Sequence, residues 1–430
     1  MIIVDRALEQ REQEGRPIRV AIVGAGYIGR GVVLQIEQHQ LGMECAVLYN
    51  RTLSKAIEAF EQVGIEAAHA ETPEEADRLI AQGKRVVTDD PSVACRAEQV
   101  DAVLEATGHV SFAADVTLDA IDHGKHVILQ NAELDATLGP ILNEKARRAG
   151  LVFTNADGDQ PGCTLNLFRW VKSIGCRPLL AGNLKGILDP YRTPETQAAY
   201  AATYGLTPEM ATNFADGTKL AFEMAIIGNA VGFAPLPGGM RGPEAEFVTD
   251  ALDLFDVEEL LESGGCIDYL LGAEPGPGVF VLGYDDHPER MYYMSHYKMG
   301  DGPLFCFYRP YHLPHLEATL SVARAVDFDD ATVAQIGAPV CDVISLAKKD
   351  LQVGDIVDGF GGFAAYGIVK EAAEANRGQH LPIGLSDGCR VVRPVAKDQP
   401  ITYADVEVPE GRVVDRLRAE QDAAFSATTA

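Results

Sequence analysis

At 430 residues the chain is longer than one ordinary core, so two or three domains are expected. A formal charge of -27 excludes a phosphate-backbone partner, which would need a basic face. No apolar run is long enough to span a membrane, and the N-terminus "MIIVDRALEQREQEGRP" carries charges where a leader peptide has its apolar core, so a cytoplasmic protein is expected.

The first strong pattern is "IRVAIVGAGYIGRGVVLQIEQ", which reads as a buried strand, a glycine turn and a helix. Gly24, Gly26 and Gly29, with Tyr27 and Ile28 between them, hold the G-x-G-x-x-G spacing: a tight turn, backbone approach to a pyrophosphate, and close helix-to-strand packing. The next strand, "MECAVLYN", ends without the Asp or Glu that holds a ribose diol. Asn50, Arg51 and Thr52, followed by Ser54 and Lys55, supply donors and positive charge that suit a 2'-phosphate. NADPH is therefore expected over NADH, although Arg51 and Lys55 also suit ordinary solvated helix-start positions.

An insertion over 71–99 precedes the strand "VDAVLEATG". Helices and strands then alternate through "HVILQN" to "LVFTNA", the mark of a doubly wound parallel sheet. Ligands in such sheets sit beyond the carboxyl ends of the strands. The residues there are Ala106, Thr107 and Gly108, then Asn131 and Glu133, then "NADGDQPG" with Asp157 and Asp159. The two acids are expected to face the substrate, as metal ligands or hydroxyl holders; Asp157 as a helix cap in an ordinary tight turn is the alternative.

Past the strand-like "RPLLAGNLKGILD", which contains Lys185, "TNFADGTKLAFEMAIIGNAVGFAP" reads as one long buried helix. Asn213, Asp216, Lys219 and Glu223 fall on one stripe of it. Lys219 as the acid for a substrate carbonyl, with Asp216 and Glu223 placing hydroxyls, stands against a plain Lys219 to Glu223 ion pair. Further on, Lys298, Arg309 and His312 are candidates to hold an anionic group; His312 and His315 straddle Pro314, which does not suit a helical metal pair. Eight cysteines are scattered singly, as expected of buried reduced thiols. From about Gly337 short extended pieces between glycine turns indicate a small β-rich module, with a helix fraying into disorder after Glu410.

These motifs together resemble the deoxyxylulose-phosphate-reductoisomerase-like (DRL-type) oxidoreductases. The likeness rests on "VAIVGAGYIGRG", "NADGDQPG", "DGTKLAFEMAIIGNA", "YKMGDGPLFCFYRPYHLPHLE" and "AKKDLQVGDIVDGFGG" with "GLSDGCRVVRPVAKDQPITYADV", and it spans nearly the whole chain. It implies a homoserine-dehydrogenase-like Rossmann domain (1–156), an α+β catalytic and dimerisation domain (157–335) and a SAF-like β-clip domain (336–430). It further implies a homodimer acting with NADPH on a small anionic or polyhydroxy substrate. The candidate reaction converts 1-deoxy-D-xylulose 5-phosphate to 2-C-methyl-D-erythritol 4-phosphate, in isoprenoid biosynthesis. Mg2+ or Mn2+ would sit on Asp157 and Asp159, with Lys219, Asp216, Glu223, Asp159 and Lys185 as catalytic residues. Homoserine dehydrogenases also resemble the chain, but the Asp216 to Lys219 spacing is three where four is expected, so homoserine ranks second. A non-catalytic NADP-binding sensor is the reading from a different class.

Overall fold

The computed structural model describes residues 3–425; the end of the fraying tail expected from sequence lies, at 426–430, outside the described residues. The chain divides into two compact units. Among the described residues the first comprises 3–159, Leu313–Ala334 and Val413–Ala424, and the second comprises Gln160–His312 and Gln335–Arg412.

The first unit is built on a seven-stranded sheet: β1 (Ile18–Val23), β2 (Met43–Tyr49), β3 (Ala67–His69), β4 (Arg85–Thr88), β5 (Ala102–Glu105), β6 (His126–Leu129) and β7 (Phe153–Asn155). All neighbouring pairs are parallel, in the order β3-β4-β2-β1-β5-β6-β7. Val20, Ala21, Ile22 and Val23 are wholly buried because helices cover both faces, which is why β1 reads as an unbroken apolar run. The strand order reverses at β1 and β5, so the glycine turn after β1 and the turn after β5 flank the crevice where such folds take ligands. This is the Rossmann-like α/β fold expected from sequence. The segment expected as an insertion contributes to the sheet itself, since β4 lies within it and pairs with β2 through Val47 and Val86.

Two helices distant in sequence complete this unit. Pro314–Phe328 packs Ala318, Val322, Ala323 and Ala325 into the same core as Val32, Val33 and Ile36 of the helix Tyr27–His39. Val413–Phe425 lies against Ala132–Arg148, whose backbone ladder is opened by Pro140. Gln421 fills that gap, its Oε1 accepting from Ile141 N at 3.2 Å and its Nε2 donating to Thr137 O at 3.4 Å.

The second unit carries a four-stranded sheet in the order β11-β10-β8-β9, from β8 (Arg177–Lys185), β9 (Cys266–Leu271), β10 (Val279–Tyr284) and β11 (Leu304–Arg309). Only β8 and β9 are parallel. The helices Gln160–Ser173 and Thr218–Val231 pack on this sheet and on each other. Here the expectation from sequence needs correction: the long helix is two, Pro208–Ala215 and Thr218–Val231. Gly217 sits between them at φ +88°, a left-handed residue that ends a helix, while Asp216 accepts from Thr218 N at 2.9 Å and starts the next. Asn213 therefore belongs to the first helix and the other members of the expected stripe to the break and the second.

The β-rich segment forms two short antiparallel pairs, β12 (Cys341–Ala347) with β13 (Ala365–Glu371), and β14 (Arg390–Val391) with β15 (Val406–Glu407). All eight cysteines are buried and free, as expected. Among the described residues no helix is long and apolar enough to cross a membrane.

Candidate functional site

In the first unit the glycine turn has the geometry its spacing demands. Gly24 adopts φ +109°, and a Cβ on it would lie 3.0 Å from Ala106 O. A Cβ on Gly29 would stand 1.8 Å from Gly24 O, so helix and turn touch through bare backbone. At Gly26, the N-cap of Tyr27–His39, a Cβ would meet nothing within 4 Å, and no side chain caps the helix. That leaves the first N–H groups facing open space, a cradle that fits a pyrophosphate. Asn50 braces the turn: its Oδ1 accepts from Ala25 N at 3.1 Å and its Nδ2 donates to Thr52 O at 2.8 Å. Arg51, Thr52, Ser54 and Lys55 are exposed beside it.

Glu105, which has no motif to mark it in the sequence, ends β5 fully buried. It accepts from Thr107 N at 2.8 Å, from the Thr107 hydroxyl and from Asn131 Nδ2 at 2.8 Å. Asn131 in turn caps Ala132–Arg148 by accepting from Leu134 N at 3.0 Å. Asn131 thus spends its amide on the protein, and Glu133 beside it is 5% exposed. Burial pushes the Glu105 carboxyl up to about 7 against those donors, with the nearby Glu133 charge pushing the same way. A raised carboxyl opposes folding once it ionises in the unfolded chain, so its contribution to stability falls as pH rises from about 4.5 through 7. Relative to wild type, Glu105→Gln should therefore gain roughly 2–3 kcal/mol between pH 5 and pH 8. Urea unfolding at the two pH values reads this, and equal differences at both would show that Glu105 does not titrate there.

The stretch "NADGDQPG" departs from expectation. Asp157 Oδ2 accepts from Arg324 Nη1 at 3.1 Å, Thr332 Oγ1 at 3.2 Å and Ser321 Oγ at 3.3 Å, and its N–H donates to Ser321 Oγ at 2.6 Å. Gly158, at φ +80°, passes so close to Leu313 O that a Cβ would lie 2.5 Å away. Asp157 therefore locks the end of β7 to the helix Pro314–Phe328. Asp159 is 6% exposed. Among the described residues no group of three or more His, Cys, Asp or Glu is arranged to hold a metal ion, and of the pair expected to bind Mg2+ or Mn2+ Asp157 already has Oδ2 engaged by Arg324, Thr332 and Ser321. Asp157→Ala leaves Arg324, 14% exposed, with Asp330 at 2.7 Å as its remaining counter-charge but removes the acceptor shared by Arg324, Ser321 and Thr332, and should cost about 2 kcal/mol in chemical denaturation. A loss under about 1 kcal/mol would count against the lock.

In the second unit a buried polar cluster forms where β8 passes the helix Thr218–Val231. Lys185 Nζ donates to Gln160 Oε1 at 2.6 Å and to Glu223 Oε2 at 3.0 Å. Asn183 Nδ2 reaches the same two oxygens at 3.2 Å each. The side chains of Lys185 and Glu223 are 18% and 4% exposed. Asn183 Oδ1 is buried with no partner, a costly state for an amide oxygen unless something reaches it. Lys219, half-buried, lies one turn before Glu223 on the same helix. Asp216 is not part of this group: its Oδ2 pairs with Lys348 at 2.9 Å. Arg309 donates to Cys163 Sγ at 3.4 Å and lies over the Tyr311 ring, His312 is half-buried, and Lys298 is exposed. Gln160 and Asn183 are additions that no motif announces, although Asn183 and Lys185 stand two apart on one strand and so share a face.

Comparison with known proteins divides along the same chain. Residues 24–154 match the family model for the NAD binding domain of homoserine dehydrogenase, and residues 158–318 that for the catalytic domain of oxidoreductase DRL. The homoserine dehydrogenase of Bacillus subtilis is 31% identical over 139 residues, covering 31% of this chain and 28% of the relative. That of Pseudomonas aeruginosa is 29% identical over 137 residues, covering 32% and 28%. The chain thus spans under a third of the length of these curated relatives. A solved homoserine dehydrogenase from Thiobacillus denitrificans aligns over 77% of this chain and 82% of its own, at 15% identity and a TM-score of 0.42. The chain is homoserine-dehydrogenase-like over residues 24–154 and DRL-like over residues 158–318.

Proposed function

We propose that the protein is an NADPH-dependent oxidoreductase of the reductoisomerase-like type, acting on a small sugar phosphate or polyol. Conversion of 1-deoxy-D-xylulose 5-phosphate to 2-C-methyl-D-erythritol 4-phosphate is the candidate reaction. The observation that carries this reading is the buried Lys185, Glu223, Gln160 and Asn183 cluster, which lies in the segment matching the DRL catalytic domain. An ammonium held by a carboxylate in a dry setting is a proton donor aimed at an oxygen that gains charge. The glycine cradle and Asn50 bind the dinucleotide, Arg51 and Lys55 favour its 2'-phosphate, and when bound it supplies the hydride. Within the second unit Lys185 holds a proton for a substrate carbonyl oxygen, Lys219 adds positive charge, and Asn183 Oδ1 accepts from a substrate hydroxyl. Lys298, Arg309 and His312 hold the anionic end. The segment from residue 336 is a SAF-like module, and the assembly is a cytoplasmic homodimer.

A second reading follows from Asp157, whose carboxylate is spent on Arg324. A dehydrogenase of another small hydroxy substrate, homoserine or a sugar acid, needs the proton donor and the hydride but no metal-held enolate. The test follows NADPH absorbance with 1-deoxy-D-xylulose 5-phosphate, with Mn2+ or Mg2+ and then chelator, beside homoserine. Metal-dependent oxidation supports rearrangement. Oxidation only with another carbonyl, or reduction of NADP+ by homoserine, selects the second reading. Binding of NADPH without turnover on a broad carbonyl panel would defeat both and leave a sensor.

A further inference from the structure

The helix Thr218–Val231, which carries Lys219 and Glu223, is gripped at both ends by the β-rich segment of its own unit. At its C-terminal end Asn229 Oδ1 accepts from Val340 N and Cys341 N at 2.8 Å each, and Asn229 Nδ2 donates to Cys341 O at 3.2 Å. At its N-terminal end Gly367 N donates to Thr218 Oγ1 at 2.8 Å, and a Cβ on Gly367 would lie 2.9 Å from Thr218 Cγ2. Beside it stands Lys348, at the end of β12, with its side chain 3% exposed. Its Nζ donates to Asp216 Oδ2 at 2.9 Å, Arg192 O at 2.8 Å and Gly362 O at 2.9 Å, which spends all three ammonium donors. The other oxygen of Asp216 holds Thr218 N at 2.9 Å, so a single carboxylate joins Lys348 to the first turn of the helix.

We propose that Lys348 is a positioning residue: through Asp216 it fixes the first turn of Thr218–Val231, and with it the placement of Glu223 against Lys185. The apolar contacts of this helix resist its removal from the core but tolerate small slides and rotations, because they are non-directional. A saturated ammonium tied to a capping carboxylate is directional and sets the register. The pairing also keeps Asp216 charged: burial raises its carboxyl, and Lys348 is the largest influence opposing that. Without Lys348 the burial that raises the Asp216 carboxyl loses its largest opposing influence, which favours the neutral form and a weaker hold on Thr218 N. The β-rich segment, which the sequence marks only as short extended pieces between glycine turns, thereby becomes part of the framework of the polar cluster. This inference rests on the reading of Lys185 and Glu223 as the working centre of the unit.

The test reads Lys185 directly. The full-length protein is acylated with a trace of acetic anhydride, and the labelling of Lys185 relative to exposed Lys298 is measured by peptide mass spectrometry. Wild type is compared with Lys348→Met and with the double variant Asp216→Asn, Lys348→Met, which leaves no buried charge unpaired and so stays folded. We expect the Lys185 to Lys298 ratio to rise about fivefold in both, because Glu223 and Gln160 no longer hold the amine. NADPH affinity should not change, since the glycine cradle belongs to the other unit. An unchanged labelling ratio in the folded double variant overturns the positioning role whatever the activity. A raised ratio, together with full turnover in Lys185→Met, would instead uphold the positioning and sink the catalytic reading.

Discussion

Lys185→Met is expected to lower kcat on the carbonyl substrate by about 10²–10⁴-fold, the range that a positioned proton donor supplies, with NADPH affinity unchanged. Methionine keeps the length and apolar stem of lysine and removes only the charge and the donors. The residues proposed to hold the dinucleotide lie in the first compact unit and Lys185 in the second, so the dinucleotide should bind as before. The difficulty is Glu223, 4% exposed, which the single change leaves buried without its Lys185 partner. Breaking one side of a buried pair costs about 3–5 kcal/mol, enough for the variant to lose activity by losing its fold. The double variant Lys185→Met, Glu223→Gln separates the two causes. It removes both members of the pair, so its stability should return to near that of wild type, while turnover stays low. If the double variant regained turnover along with stability, Lys185 would be a structural cation and Lys219, one turn from Glu223, would take over as the donor to test. Retained activity in the single variant would demote Lys185 in the same way.

How much of this was legible in the sequence depends on how far apart the partners lie. Gly29 and Asn50 act on Gly24 O and Ala25 N, neighbours within about two dozen positions, in a strand-turn-helix unit of fixed glycine spacing. The parallel sheet was readable for the same reason, since buried strands and covering helices alternate along the chain. The misjudged elements are those closed by distant partners. Asp157 meets Arg324 from 167 positions away, and nothing in "NADGDQPG" says that one of its acids is already spent. Lys348 meets Asp216 across 132 positions, from a module whose own pattern shows only short strands and turns. The single long helix was a different kind of miss. "DG" in the run was visible as a C-terminal and N-terminal signal back to back, but the apolar pattern continued through it and outweighed two residues. Asn183 was hidden inside a strand that reads as apolar because both of its faces are covered.

Alanine at Gly29 and alanine at Gly26 should both abolish tight NADPH binding, yet only the first should damage the fold. The added Cβ at Gly29 would lie 1.8 Å from Gly24 O and 2.9 Å from Gly24 C, and both are backbone atoms that no rotamer change can move. Helix Tyr27–His39 must therefore shift away from the turn, and its Val32, Val33 and Ile36 belong to the core of the sheet. Overpacking of this kind costs roughly 3 kcal/mol or more, because the contact is with main chain and the helix is anchored along its length. Gly26 presents the opposite case. Its φ of -77° is open to any residue, and the methyl would meet no protein atom within 4 Å, so Gly26→Ala should melt with the wild type. The open space is where the backbone must come within hydrogen-bonding distance of a pyrophosphate, and a methyl there should weaken NADPH by about 100-fold. Thermal melts paired with fluorescence titration of NADPH distinguish the two effects. Wild-type affinity in Gly26→Ala would mean that the dinucleotide does not lie along this helix N-terminus, and the cofactor assignment would fall with it.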